Sequence, residues 1–362
     1  MNFVLLTIAC VTAFIIAVAT TPIVRVIAIK FNIVDCPDER KIHTMEKPYL
    51  GGVAIFISVM ITYLIFWPNH QYQIAIISGA FVMLLTGLLD DKYSLKPVVK
   101  LAGQGLAALI IISSDLLIDK INIPFFGDIE LGNLSVVVTI FWILAVSNAI
   151  NLIDGLDGLA AGVASIALLS ITIMAVIDGN WIVALLCTMI LGANLGFLVF
   201  NFYPAKIYMG DSGSLFLGYM VAVISMLGLF KNVALFSFII PFIVLAVPIV
   251  DTIFAIIRRM RNGESIMNAD RKHFHYQLLD AGLSHKGAVI LIYVFSGMFG
   301  LLAVFFSYST VGASIISIFL VLLLIHIIAE IVGLVMGGKQ PVLNFLKKFV
   351  KAKPKKSPKD LG

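Results

Sequence analysis

The chain is organised around the stretch Asn148-Ala-Ile-Asn-Leu-Ile-Asp-Gly-Leu-Asp157, which separates the apolar runs 134–147 and 159–177. Each run is close to the length of a membrane-spanning helix. A carboxylate in the bilayer costs about 2.5–3.5 kcal/mol on insertion scales, so polar residues kept here indicate a function. Asn148, Asn151 and Asp154 recur at helical spacing and are expected to share one face. Helix capping with a tight turn is the structural alternative.

The composition is typical of an integral membrane protein. The 362 residues are 60% hydrophobic and 12% charged, with a mean hydropathy of +1.06, whereas soluble domains average about 25% charged residues. The first apolar run, 3–28, has neither a basic leading segment nor a cleavage site, which favours a retained helix. Cys10 and Cys187 lie in apolar runs and Cys36 in a loop, so no disulfide framework is predicted. No nucleic-acid partner is expected.

Apolar runs of membrane length recur along the whole chain and predict an all-α polytopic membrane protein with about eleven transmembrane helices. The predicted spans lie near 3–28, 51–68, 74–89, 97–114, 134–152, 159–177, 181–202, 213–230, 233–257, 287–307 and 311–336. The third and eighth spans are short. The segment 115–133, between the fourth and fifth spans, favours a small hairpin.

The distribution of basic residues predicts the orientation. With the N-terminus outside and the C-terminus cytoplasmic, the outer segments carry only Lys120 and Lys231, as the positive-inside rule requires. Residues 1–337 then form a transmembrane domain, and residues 338–362 a basic cytoplasmic tail. Within the tail, 342–350 predicts a helix on the membrane surface. The cytoplasmic loops of the domain are 29–50, 90–96, 153–158, 203–212 and 258–286.

These loops carry side chains that suit phosphate chemistry. Asp90 and Asp91 end the third span, and adjacent carboxylates both stay ionised only near a metal ion or other cations. Asp211 precedes the eighth span, where it fits either a helix N-cap or a cation site beside a phosphate-attracting helix end. Tyr208 offers a flat face for a base, and Lys206 offers a charge for phosphate. Tyrosine as an interfacial anchor and acidic residues as ordinary helix ends are the structural alternatives.

The largest inner loop, 258–286, contains Arg271, Lys272, His273 and His275. This set predicts a patch for a polyanion rather than a zinc site, because no cysteine or third close ligand accompanies the histidines. A basic loop that binds lipid headgroups is the alternative. Loop 29–50 adds to the same side Arg40, Lys41 and His43.

Together the inner-face residues offer oxygens for Mg²⁺, basic groups for phosphates, an aromatic ring for a base and apolar walls for a lipid. That combination fits phosphoryl transfer from a soluble nucleotide to a membrane-embedded acceptor. A transporter of a nucleotide sugar or lipid is the main rival, but no internal repeat supports it. A CDP-alcohol phosphotransferase would need an arginine after Asp-Gly, where Leu159-Ala-Ala follows here. A structural scaffold leaves the polar residues unexplained.

Five motifs follow one another between Asp35 and Leu283. They read Arg40-Lys-Ile-His…Pro48…Gly51-Gly, Leu89-Asp-Asp, Asn148-Ala-Ile-Asn-Leu-Ile-Asp-Gly-Leu-Asp-Gly-Leu, Met209-Gly-Asp-Ser-Gly-Ser and Ala269-Asp-Arg-Lys-His-Phe-His. Jointly they resemble the superfamily of polyprenyl-phosphate N-acetylhexosamine-1-phosphate transferases. The histidine loop resembles the bacterial undecaprenyl-phosphate GlcNAc-1-phosphate branch, not the muramoyl-pentapeptide branch with its three consecutive histidines. The GlcNAc branch commonly reads His-x-His-His, and Tyr276 takes the last place here.

The resemblance implies a reaction and its setting. UDP-GlcNAc and undecaprenyl phosphate would give undecaprenyl-diphospho-GlcNAc and UMP, the first membrane step of a cell-envelope glycopolymer, with wall teichoic acid as the leading candidate. Phospho-N-acetylmuramoyl-pentapeptide transfer is the alternative within the superfamily. The expected location is the bacterial plasma membrane, multi-pass, with the active site facing the cytoplasm. A homodimer is one of the oligomeric states left open.

The resemblance also implies roles for individual residues. Asn151 and Asp211 would hold Mg²⁺, with Mn²⁺ as the alternative ion, on the donor pyrophosphate. The catalytic residues would be Asp90, Asp91 and Asp154. Asp157 and Tyr208 would contact the uracil, and Arg271, His273 and His275 the sugar or its phosphates. The remaining substrate-binding residues are expected to be Lys41, His43, Asn148, Asn201 and Lys206. Direct in-line attack is favoured over a covalent aspartyl-phosphate.

Overall fold

The computed structural model describes residues 3–35, 47–123, 127–228, 239–263, 273–333, 340–342 and 344. The helices in these ranges are α1 Phe3–Lys30, α2 Gly51–Phe66, α3 Gln73–Tyr93, α4 Pro97–Ile112, α5 Leu134–Ile153, α6 Leu159–Ile177, α7 Trp181–Asn201, α8 Gly210–Gly228, α9 Ile239–Val244, α10 Ala246–Arg261, α11 Phe274–Asp280, α12 His285–Tyr308 and α13 Val311–Ile331. The strands are β1 Val34–Asp35, β2 Lys47–Pro48, β3 Lys120–Ile123 and β4 Gly127–Glu130. Lys41, His43, Arg271 and nearly all of the tail lie outside the described residues.

The fold is that of an all-α polytopic membrane protein, as predicted. Eight of the described helices are long and apolar enough to cross a membrane, and α2 and α4 are shorter apolar helices. The strands form two antiparallel pairs, β1 with β2 and β3 with β4. The second pair, in which Lys120 lies opposite Glu130, confirms the hairpin predicted within 115–133.

Helix α8 lies at the centre of the bundle, in contact with α2, α3, α5, α6 and α7. Its first turns come very close to two neighbours through small residues. A Cβ atom on Gly52 of α2 would overlap the backbone of Gly213, and one on Gly87 of α3 would overlap Ser212. Such packing of small residues holds helices together in lipid, where apolar burial alone gives little preference for association. It fixes the start of α8 beside the end of α3.

Two helices beside this contact extend a few residues beyond the predicted spans. Helix α3 does not stop at residue 89 but continues through both aspartates to Tyr93. Helix α8 begins at Gly210, so Asp211 lies in its first turn and is not an N-cap before it. Neither α3 nor α8 is short, although both were predicted to be short spans. The carboxylates of Asp91 and Asp211 at these helix ends are bound by adjacent helices, so they can lie within the bundle.

The predicted ninth span, 233–257, is not one continuous helix. Within the described part of this run, α9 ends at Val244 and α10 begins at Ala246, with Leu245 between them at φ −102° and ψ 20°. Pro248 has no N–H to donate to the Val244 carbonyl, but the first turn of a new helix tolerates proline. The break falls where the chain is apolar on both sides, so hydropathy did not reveal it.

Candidate active site

The end of α5 and the start of α8 meet through polar side chains. The Asn151 side chain, near the end of α5, donates from Nδ2 to Asp211 Oδ1 of α8 at 2.7 Å and to Ser214 Oγ at 2.8 Å. Asn151 and Asp211, the predicted metal ligands, are therefore in direct contact although 60 residues separate them.

A lysine that the sequence reasoning missed lies at the centre of this cluster. Lys100, in the first turn of α4, donates to Asp90 Oδ2 at 2.9 Å, to Asn151 Oδ1 at 3.1 Å and to Asp211 Oδ2. Only 16% of its side chain is exposed. A signal was present in the sequence, since a lysine inside an apolar span is costly unless it is paired.

The two adjacent aspartates of α3 have different partners. Asp91 accepts hydrogen bonds from the backbone N–H groups of Asp211 at 2.7 Å and Ser212 at 3.1 Å, so it binds the N-terminus of α8. A carboxylate is stabilised there by the exposed N–H groups and the helix dipole. Asp90 accepts from Leu95 N at 2.7 Å and from Lys100. Asp91 thus holds Asp211 in place, while Asp90 faces the ammonium group; their catalytic roles stay predictions.

The loop that follows α5 adds a carboxyl group to the same cluster. Asp154 ends the helix as its C-cap. Removal from water raises the pKa of Asp154 to about 8, and three carboxylates add to the effect, those of Asp211, Asp91 and Asp157. This rise reflects a cluster with more carboxyl groups than one lysine compensates, and a further cation would let Asp154 ionise at neutral pH.

Asp157, in the loop 153–158, contacts residues of three other predicted loops. Its Oδ2 accepts from Ala205 N at 2.8 Å and from Lys47 Nζ at 3.4 Å, and its own N–H donates to His285 Nε2 at 2.9 Å. Lys47 Nζ also lies 4.9 Å from the centre of the Tyr208 ring. The two residues predicted to contact uracil are thus linked by one lysine, Lys47, that the sequence reasoning did not select.

Three predicted substrate-binding residues have contacts that hold the protein itself together. Asn148 exchanges hydrogen bonds with Gln104 of α4, at 2.6 and 3.2 Å. Asn201 is buried and donates to the carbonyl of Ile207 at 3.0 Å. Lys206 is exposed, and its carbonyl accepts from Arg25 Nε at 3.1 Å. Their roles toward a substrate stay predictions.

His275 lies against the loop 153–158, and the His273 ring stacks on it. His273 and His275 are both buried, with ring centroids 5.9 Å apart and planes 6° from parallel. A Cβ atom on Gly155 would overlap Nε2 of His275, so the glycine makes room for that ring. Burial lowers the pKa of His275 to about 4. Neither ring nitrogen of His275 has a hydrogen-bond partner among the described residues.

The residues around Lys100 fit a hard divalent cation. Two carboxylates and one amide oxygen already surround a single positive group, and such oxygens are the ligands that Mg²⁺ prefers. In the described ranges, no group of three or more His, Cys, Asp or Glu side chains could hold a metal by itself. Mg²⁺ is commonly bound by one or two carboxylates together with substrate phosphates and waters, so a partial protein shell suffices.

The sequence model of glycosyl transferase family 4 matches residues 73–229, from the start of α3 to just beyond α8. The chain is 44% identical over 347 residues to a probable undecaprenyl-phosphate N-acetylglucosaminyl 1-phosphate transferase of Bacillus subtilis, covering 94% of this chain and 97% of the relative. It is 34% identical over 319 residues to a decaprenyl-phosphate N-acetylglucosaminephosphotransferase of Mycolicibacterium smegmatis, covering 79% and 78%. It is 26% identical over 310 residues to an undecaprenyl-phosphate alpha-N-acetylglucosaminyl 1-phosphate transferase of Yersinia pestis, covering 84% and 85%.

Proposed function

The chain belongs to glycosyl transferase family 4, and on that premise we propose that it is a phosphotransferase acting on a polyprenyl phosphate. It transfers GlcNAc-1-phosphate from UDP-GlcNAc to undecaprenyl phosphate, giving undecaprenyl-diphospho-GlcNAc and UMP. The names of the relatives and the predicted motifs support the same reaction.

One observation carries the proposal. Side chains from α3, α5 and α8, namely Asp90, Asn151 and Asp211, converge on the single ammonium group of Lys100. Phosphoryl transfer needs positive charge and positioned oxygens at one point, because the protein mainly positions the groups and neutralises charge. A transporter would not require this arrangement at a membrane-helix boundary.

The chemistry follows from the charges of the two substrates. The second pKa of a phosphate monoester is about 6, so the acceptor is mostly a dianion at pH 7. One of its oxygens attacks the phosphorus that bears the sugar. The bond from that phosphorus to the bridging oxygen breaks, and UMP leaves with the electron pair. Asp90 or Asp91 orients the acceptor or takes its last proton.

Lys100 and a bound metal ion would neutralise the negative charge of the substrate phosphates. The three hydrogens of the Lys100 ammonium group point to Asp90, Asn151 and Asp211, so Lys100 would donate to a phosphate oxygen by exchanging one of these partners, which Mg²⁺ would make possible by taking the oxygens of Asn151 and Asp211. Asn151 and Asp211 would hold Mg²⁺, which when bound neutralises charge on the donor pyrophosphate. Asp157, Tyr208, Arg271, His273 and His275 are proposed to contact the uridine and the sugar phosphate.

The membrane setting extends the proposal. We propose eleven spans, the ninth formed by α9 and α10, with the N-terminus outside and the site at the cytoplasmic face. The positive-inside distribution of lysine and arginine supports this orientation. UDP-GlcNAc then enters from the cytosol, and undecaprenyl phosphate enters from the inner leaflet. The product would initiate an envelope glycopolymer such as wall teichoic acid; a homodimer stays a prediction.

Turnover of the purified protein tests the reaction. With undecaprenyl phosphate as acceptor, UDP-GlcNAc should release UMP, and EDTA should stop the release. Preferred use of UDP-MurNAc-pentapeptide or UDP-GalNAc would overturn the choice of sugar. Uptake of intact UDP-GlcNAc into vesicles without UMP formation would favour a transporter.

The metal ligands need a separate test. Asp211→Ala should abolish Mg²⁺-dependent UMP release while the protein still elutes as a folded species, because it removes a carboxylate and leaves the packed α8 in place. Normal release at ordinary Mg²⁺ concentrations would exclude Asp211 as a ligand.

A further inference from the structure

A buried carboxylate lies on a helix to which no functional role has been assigned. Asp251 of α10 stands in the apolar stretch 247–257 and is 2% exposed. Its Oδ2 lies 2.9 Å from Nδ1 of His273, and its Oδ1 accepts from Phe274 N at 2.9 Å. Burying a carboxylate is costly unless it is paired and hydrogen-bonded. Both of its oxygens are committed to the segment where α11 begins.

The pair fixes where the imidazole proton lies. An ionised carboxylate can only accept, so Nδ1 of His273 must carry the hydrogen in this contact. That leaves Nε2 as the one ring nitrogen free to meet another group. A histidine whose second nitrogen is held by a carboxylate is fixed in both tautomer and orientation.

The same carboxylate places the neighbouring histidine. By holding Phe274 N, Asp251 sets the first residue of α11 and hence the position of His275. The His275 ring stacks on His273 and fills the space left by Gly155, one residue after Asp154. A single buried side chain therefore holds the histidine segment against the loop 153–158.

We propose that Asp251 is a positioning residue that keeps His273 as the Nδ1–H tautomer, so that a hydroxyl or amide N–H of the donor's sugar meets one defined acceptor nitrogen, Nε2. This inference rests on the proposed function of the histidine segment. The competing explanation is that Asp251 only caps and stabilises the start of α11. The Asp251→Asn variant is expected to behave differently under the two explanations.

Asp251→Asn separates the two explanations. Its amide oxygen can still accept from Phe274 N, so the start of α11 is kept. Its amide NH₂ then faces His273 and donates, which moves the ring hydrogen to Nε2. Asp251→Ala removes both bonds. Asp280→Asn is the matched control, since Asp280 is an exposed aspartate at the other end of the same helix.

The experiment uses the full chain in detergent with three readouts. ¹⁵N-histidine spectra, assigned with His273→Gln, give the tautomer of His273. UMP release gives kcat and KM for UDP-GlcNAc, and thermal unfolding gives stability. We expect Nδ1–H in the wild type, Nε2–H in Asp251→Asn, and a fall in kcat/KM of about tenfold or more, as for other residues that orient a histidine. Unfolding of Asp251→Asn and all properties of Asp280→Asn should match the wild type.

Three results would overturn the proposal. One is an Nε2–H tautomer in the wild type. Another is wild-type kcat/KM in Asp251→Asn despite a changed tautomer. The third is an unfolding midpoint of Asp251→Asn as low as that of Asp251→Ala, which makes Asp251 a structural cap. If the wild type does not release UMP from UDP-GlcNAc, the proposed function fails, while the tautomer spectra still decide how Asp251 acts on His273.

Discussion

Replacing Lys100 by methionine keeps the length of the side chain and removes its charge. The side chains of Lys100 and Asp90 are 16% and 12% exposed, so their pair is largely shielded from water, whereas 31% of the Asp211 side chain is exposed. Removing one partner of a buried ion pair costs about 3–5 kcal/mol because the other charge is left uncompensated. Since Asp211 retains some solvent, we expect the low end, about 3 kcal/mol.

The assay is thermal unfolding in detergent, with and without Mg²⁺. A divalent cation can occupy the oxygens that Lys100 otherwise bridges, so Mg²⁺ should stabilise Lys100→Met more than the wild type. Binding to the folded state alone adds about 2.7 kcal/mol at a hundredfold excess over Kd, enough to restore most of the loss. UMP release should remain low even then, because the metal replaces the charge and not the phosphate contact.

Lys96→Met is the matched control, because Lys96 lies one turn earlier, is exposed and borders the same helix. It should leave unfolding and turnover unchanged. If Lys100→Met is as stable as the wild type without Mg²⁺, or if Mg²⁺ shifts both proteins equally, Lys100 does not compensate the carboxylate cluster and the reasoning is wrong.

Three further predictions concern the surroundings of this cluster. Gly155→Ala should lower kcat/KM and cost about 1–3 kcal/mol in unfolding, because the new methyl group overlaps the His275 ring; unchanged turnover would show that the ring can move freely. His275 should make stability depend on pH, because its pKa is about 4 in the folded protein and about 6.5 in the unfolded chain. As the pH decreases from 6.5 toward 4, the unfolded chain binds the proton first. The free energy of unfolding therefore falls in this window, by about 3 kcal/mol in all. His275→Leu should flatten the pH dependence of the unfolding midpoint in that window, and an unchanged slope would contradict the assignment. Gly52→Ala should destabilise the bundle and displace Asp211, since its methyl group overlaps the backbone of α8. Gly105→Ala meets open space inside α4 and should be at least as stable as the wild type, because alanine favours the helix over glycine. Equal unfolding of the two variants would refute the close approach.

The sequence by itself determined the class of protein and the residues around which its site is built. Apolar runs are local features, so ten of the eleven predicted spans correspond to single helices, and only the run broken at Leu245 does not. The motif positions Asp90, Asn151 and Asp211 were also found, because polar residues at the ends of membrane-length runs are costly unless they are used.

Only the tertiary structure decided which of these residues are partners. Lys100 meets Asp211 across 111 residues of chain and Asp251 meets His273 across 22, while Lys100 also meets Asp90 of the preceding helix. Such pairs depend on the angle and depth at which α3, α4, α5, α8 and α10 pack. The hydropathy of a segment indicates that it forms a membrane helix. The rotation of that helix about its axis and its depth in the bundle are set by close contacts with neighbouring helices.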